Sequence, residues 1–206
     1  MLKLTPTLFE ELDHLARTSA GVPVEVVPAE TMLGAFARIN PIVSPLVVDV
    51  ANPDGPGSRA EAAVMQIANE IDLNAFRTCP RPELDYSAIP AEDIYCFLIL
   101  HEAAHARQAF NGMDAVMTFG NADRRTLGLA SAAMEILADR EAWEHLYPGK
   151  PLPQRPYDAE QLAEILALLE QYRELFTRRN NRRPMTTEPG KMIPLSHVLD
   201  GIPWAS

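Results

Sequence analysis

The sequence predicts an α+β fold, mainly helical, with a small sheet formed near the N-terminus. Three observations carry that expectation. Short strand-like runs rich in β-branched residues cluster before residue 51, whereas helical spacing of apolar residues dominates from residue 94 onward. At 206 residues with 47% hydrophobic side chains, the chain can bury one real core without disulfide staples.

Taken in order, Thr7-Leu8-Phe9-Glu10 reads as a capping box, and Leu8, Leu12, Leu15 and Ala16 follow at helical spacing. This predicts a first amphipathic helix over about residues 7–19, ended by Gly21 and Pro23, with His14 on its surface. Val24-Glu25-Val26-Val27 and Ala35-Phe36-Ala37-Arg38-Ile39 are short strands, and Pro45-Leu46-Val47-Val48-Asp49-Val50 is a stronger one. Asn52-Pro53-Asp54-Gly55-Pro56-Gly57 is a turn. Ser58-Arg59-Ala60-Glu61 reads as a second capping box, opening a helix that runs to about Leu73.

A proline-studded link from Cys79 to Pro90 leads to the next helix, with Pro90 pre-set for its first turn and Glu92 and Asp93 near its positive end. Asn111-Gly112 stops it. A further helix is expected from about Asp123 to Leu146, closed by Tyr147-Pro148-Gly149. Asp158 caps the last one, whose Leu162, Ile165, Leu166, Leu169, Tyr172 and Phe176 form an apolar stripe. Residues 1–183 read as one domain and 184–206 as a proline-rich tail without periodicity.

The formal net charge of −10 argues against nucleic acid as the main partner, because phosphate binding needs a concentrated basic surface. Arg178, Arg179, Arg182 and Arg183 form a local exception that suits the negative end of a helix. No apolar run reaches the length needed to cross a bilayer or to act as a signal peptide, so no membrane partner is expected. Cys79 and Cys96 match no metal or redox spacing, and Cys96 suits a packed thiol. The expectation is a soluble, cytoplasmic protein.

The most informative stretch is His101-Glu102-Ala103-Ala104-His105. It sets two imidazoles four residues apart on one helix face, with a carboxylate after the first. Ile94-Tyr95-Cys96-Phe97-Leu98-Ile99-Leu100 before it is apolar on every side, so the imidazoles enter the interior, where polar groups need partners. A metal ion supplies one. Zinc in hydrolases is usually held by three protein ligands with a fourth position open. No third histidine follows in Ala106-Arg107-Gln108-Ala109-Phe110-Asn111, but the later helix offers Glu135 and Asp139, one turn apart on a common face. Glu135 can bind the metal while Asp139 accepts a hydrogen bond from a ligand imidazole. The competing assignments exchange those two roles or draw on Glu141 or Glu144.

The two motifs together resemble the gluzincin metallopeptidases, in which H-E-x-x-H is followed by E-x-x-x-D. Glu135-x-x-Ala138-Asp139-x-x-Ala142 is similar to the E-x-x-A-D-x-x-A segment of the HtpX-type membrane peptidases and the ImmA/IrrE-type regulatory peptidases. The resemblance spans about residues 94–143. It implies a zincin-like arrangement with the sheet packed over the active-site helix, Zn2+ held by His101, His105 and Glu135, Glu102 as general base, and Asp139 behind the ligands. It further implies a zinc endopeptidase acting on a protein or peptide substrate. Within that chemistry Glu102 is placed to take the proton of the attacking water and return it to the leaving amine. His145, Tyr147, Tyr157 and His197 are unranked candidates for stabilising the tetrahedral intermediate. An exposed strand ahead of the active helix would hold the substrate by edge pairing, with residues 46–50 as the candidate. Two other readings stand beside this one: a catalytically silent zinc-binding interaction module, and a selective regulatory protease that cleaves one repressor or partner.

Overall fold

A computed structural model describes residues 1–40, 59–60, 64–107, 123–155, 159–171 and 193–194. Strand β1 (Leu2–Lys3) precedes helix α1 (Pro6–Ala20). The cap of α1 is Thr5 and not the expected Thr7: the Thr5 hydroxyl accepts the Leu8 amide at 3.3 Å. Pro6 then fills the first helical position, where a missing N–H has no consequence, and this shifts the start forward. Gly21 closes the helix in the left-handed region at φ 71°, its N–H donating to the Arg17 carbonyl. Leu12, Ala16 and Ala20 are buried, and His14 is exposed, as expected of an amphipathic helix.

The remaining strands are β2 (Val24–Val27), β3 (Ala37–Asn40), β4 (Arg59–Ala60), β5 (Val64–Ala68), β6 (Glu70–Ile71) and β7 (Ile193–Pro194). The largest sheet has the order β2-β5-β3, with β2 parallel and β3 antiparallel to the central β5. β1 pairs with β6, and β4 pairs with β7. This overturns the helix expected from Ser58 to Leu73. Met65 and Ile67 are fully buried while Val64 before them and Gln66 between them are less so, a period of two that fits a half-covered strand. The Ser58-Arg59-Ala60-Glu61 pattern reads locally as a helix start, and sheet pairing on both sides of β5 overrides it. The true helix begins later: α2 (Leu73–Thr78) is capped by Asp72, whose carboxylate accepts the Asn74 and Ala75 amides.

A 3-10 turn, Ala91–Asp93, follows Pro90 and runs into α3 (Ile94–Arg107). Ile94, Tyr95, Phe97, Leu98, Ile99 and Leu100 are all buried, so this helix passes through the core. It packs against α1, β3 and α4 (Arg124–Leu146). Asp123 caps α4 by accepting the Thr126 amide, and Tyr147 ends it. Ala103 and Ala104 on α3, and Ala138 and Ala142 on α4, are fully buried. Small side chains there let the two backbones lie close. Helix α5 (Ala159–Gln171) covers the other side of α4 through a separate cluster of Ala130, Ala133, Ile136, Ile165 and Leu168.

Among the described residues no helix is long and apolar enough to cross a membrane. Both cysteines are free and half-buried. The strand at 45–50, the turn at 52–57, the stop at 111–112, Asp158, Tyr172, Phe176 and the arginine cluster at 178–183 lie outside the described residues, as does the tail apart from Ile193–Pro194.

Candidate metal centre

Helix geometry brings the site together from two directions. His101 and His105 lie one turn apart on α3, and Glu135 and Asp139 one turn apart on the facing side of α4, in line with Ala138 and Ala142. The Nε2 atoms of the two histidines are 3.0 Å apart. Oε2 of Glu135 lies 3.3 Å from Nε2 of His101, and its Oε1 lies 3.5 Å from Nε2 of His105. Donors held at 2.0–2.1 Å around a tetrahedral ion are separated by about 3.3 Å. Two imidazoles and a carboxylate at these spacings could hold a divalent cation.

Behind the trio, Nδ1 of His101 lies 2.9 Å from Oδ1 of Asp139, close in distance but off the line of a good hydrogen bond. Asp139 is buried and draws two further groups: Tyr86 donates its hydroxyl to Oδ1 at 2.8 Å, and Arg81 forks onto both oxygens at 3.0 and 3.1 Å. Nη2 of Arg81 also reaches Oε2 of Glu135 at 2.5 Å. Burial works against charge on His101, yet the carboxylates of Asp139 and Glu135 prevail and push its pKa up to about 9. Burial likewise opposes ionisation of Glu135 and Asp139, and the histidines and Arg81 overcome it, holding both below the usual carboxylate range. Burial and the neighbouring Asp139 carboxylate push the Tyr86 hydroxyl well up, so it stays a donor.

Arg81 and Tyr86 were not singled out by the sequence. Both sit on the link between α2 and α3, which reads as a mere connection. The signal available was Pro80-Arg81-Pro82-Glu83, charged residues alternating with prolines just ahead of a buried helix. The structure gives that alternation a purpose. Glu83, itself buried, receives Nε and Nη2 of Arg140 at 2.7 and 2.6 Å, the reverse of the Arg81–Asp139 pair one residue along α4. Glu83 and Asp85 also exchange backbone hydrogen bonds with Arg155 and Pro153. A column of rings supports the link from below: Phe36 on Phe76, Phe76 stacked on Tyr86, Tyr86 edge-on to Phe97, and Phe97 beside His101.

Glu102 is buried on the opposite flank, where its Oε2 accepts the backbone N–H of Ile39 at 3.0 Å. Phe36 accepts the Ala68 amide through its carbonyl, so even-numbered residues of this strand face β5 and the Ile39 amide points outward. Among the described residues β3 is an edge strand, and Glu102 sits at that edge.

The other candidates do not converge here. His145 is exposed at the far end of α4, about 15 Å along the helix from Glu135. Tyr147 donates its hydroxyl to Asp93 at the opposite end of α3 and packs on Trp143. Glu144 accepts the Gly149 amide, closing the turn after α4. Tyr157, His197 and residues 46–50 lie outside the described residues. A search of protein-family models, of characterised proteins and of solved structures returns no match to this chain.

Proposed function

We propose that the protein is a zinc-dependent endopeptidase of the gluzincin kind, with His101, His105 and Glu135 as metal ligands. The observation that carries this reading is the convergence of one buried and one partly buried imidazole and a carboxylate from separate helices at the spacing a tetrahedral ion requires, with a second carboxylate at an adjoining strand edge. A zinc ion bound there would acidify a water and polarise a carbonyl. The protein's own residues do the rest. Glu102 holds a carboxylate oxygen ready to take a proton and to deliver it to the departing amine. The Ile39 amide fixes the other side of that carboxylate. Asp139 orients the His101 ring through Nδ1, leaving Nε2 directed into the trio. Among the described residues, the outward groups of Ala37 and the Ile39 carbonyl would offer an extended peptide a strand to pair with beside Glu102, which itself holds the Ile39 N–H.

The Ile39 contact also favours a second reading, in which Glu102 is a structural tie between α3 and β3 and the protein binds metal without turnover. Glu102→Gln separates the two, because an amide oxygen still accepts the Ile39 N–H but cannot take a proton. The expected result is a variant that keeps one zinc per chain and its melting temperature but loses cleavage of denatured protein substrates. A zinc-loaded wild type that cleaves no substrate, with Glu102→Gln as stable as wild type and Glu102→Ala melting lower, would favour the structural tie. Absence of stoichiometric zinc from the wild type would overturn the metal centre itself.

A further inference from the structure

Arg81 occupies an unusual place beside the candidate metal centre. Its side chain is 14% exposed, it forks onto Asp139, and its Nη2 touches the Glu135 oxygen that also lies 3.3 Å from Nε2 of His101. Oε2 of Glu135 is therefore shared between the guanidinium and the trio that converges on the cation position. Glu135 and Asp139, one turn apart and largely withdrawn from water, repel each other and need a counter-charge. Arg81 already supplies one. It is also hard to draw away: prolines flank it on both sides, its guanidinium lies over the Tyr86 ring at 4.9 Å, and the Glu83–Arg140 pair pins the same link to α4.

We propose that Arg81 is a positioning residue that acts as a resident counter-cation, keeping the site folded without metal and holding the site's metal affinity down. The inference rests on reading the trio as a metal centre. Two opposed effects decide its sign. The guanidinium orients Glu135, which favours metal binding, and it leaves a full positive charge beside a divalent ion, which disfavours it. Orientation saves the rotamer freedom of one side chain. Repulsion between like charges a few ångströms apart, in a site with little water between them, is the larger effect. Removing the charge should then tighten metal binding while weakening the metal-free fold.

The experiment compares the full chain as wild type, Arg81→Met and Arg81→Lys, measuring zinc affinity by competition with a chromophoric chelator and melting temperature with and without zinc. Arg81→Met is expected to bind zinc at least about tenfold tighter than wild type, to melt lower without it, and to show a larger zinc-induced rise. Arg81→Lys, which keeps the charge, should stay within about threefold of wild type. Zinc binding by Arg81→Met that equals or falls below wild type overturns the inference while leaving the metal centre standing. A wild type that binds no zinc overturns both. Should Arg81→Met fail to fold in either condition, Arg81→Lys decides: wild-type affinity supports the role of charge, and a tenfold gain refutes it.

Discussion

Two buried carboxylates flank the imidazole pair, and they are held in opposite ways. On the loop flank, Asp139 is 1% exposed and gathers Arg81, Tyr86 and His101 around its two oxygens. On the sheet flank, Glu102 meets the backbone amide of Ile39. Asp139 is thereby surrounded by positive charge and donors that lock it as an anion. Glu102 is anchored by a hydrogen bond from a neutral main-chain group, which fixes its place at the strand edge. The contrast suits a division of labour in which one carboxylate orients and the other exchanges protons.

Substitutions can break that contrast flank by flank. The largest effect is expected for Glu102→Gln: peptide cleavage should fall by about 10²–10⁴-fold, with bound zinc and melting temperature unchanged. Asp139→Ala should do the reverse, lowering stability by about 1–3 kcal/mol, because the buried Tyr86 hydroxyl loses its acceptor and Arg81 keeps only Glu135 as a partner, and weakening zinc binding by about 10–100-fold. Calorimetry and chelator competition would register both changes. An Asp139→Ala protein of normal stability would refute the locked-anion account.

Acidity offers a third test, on metal-free protein. Folding raises the pKa of His101 from 6.5 to about 9, so the folded state holds its proton more tightly than the unfolded chain does. The resulting stabilisation is fully present below pH 6.5 and disappears as pH rises through about 9, a loss on the order of 3 kcal/mol. Denaturant titrations of chelator-treated protein at pH 6 and pH 9 should show that fall. The smallest effect belongs to the neighbouring clasp. Arg140→Ala leaves the buried Glu83 unpaired and should cost about 1–3 kcal/mol, whereas Glu83→Ala lets the half-exposed Arg140 turn to solvent and should cost less. Neither should alter zinc affinity by more than about twofold, since neither residue reaches the imidazoles.

What the sequence disclosed follows from the range of the interactions involved. The spacings of His101 with His105 and of Glu135 with Asp139 are single helical turns, so each pair was legible once metal chemistry was brought to the helical spacing, although Glu141 and Glu144 stayed open as alternatives. The course of α3 and α4 was legible from local signals, helped by Pro90 at one start and Asp123 at the other. Val64–Ala68 departs from the expected helix because Ser58-Arg59-Ala60-Glu61 mimics a capping box locally, while the two strands that enclose β5 come from residues 24–27 and 37–40. Arg81 lies 58 residues from Asp139, and Ile39 lies 63 from Glu102. No local pattern reports such pairings. They arise only once the link has folded onto α4 and the edge strand onto α3.

The ring column has a consequence for access. Because Phe36, Phe76, Tyr86 and Phe97 stack from the sheet toward His101, the link carrying Arg81 is bolted to the interior and is poorly suited to swing open as a door. Glu135 and His105, with side chains 31% and 15% exposed, mark the mouth, whereas His101 at 6% forms its floor. In the proposed peptidase, the approach to the trio would lead over those two residues, without displacing the aromatic wall.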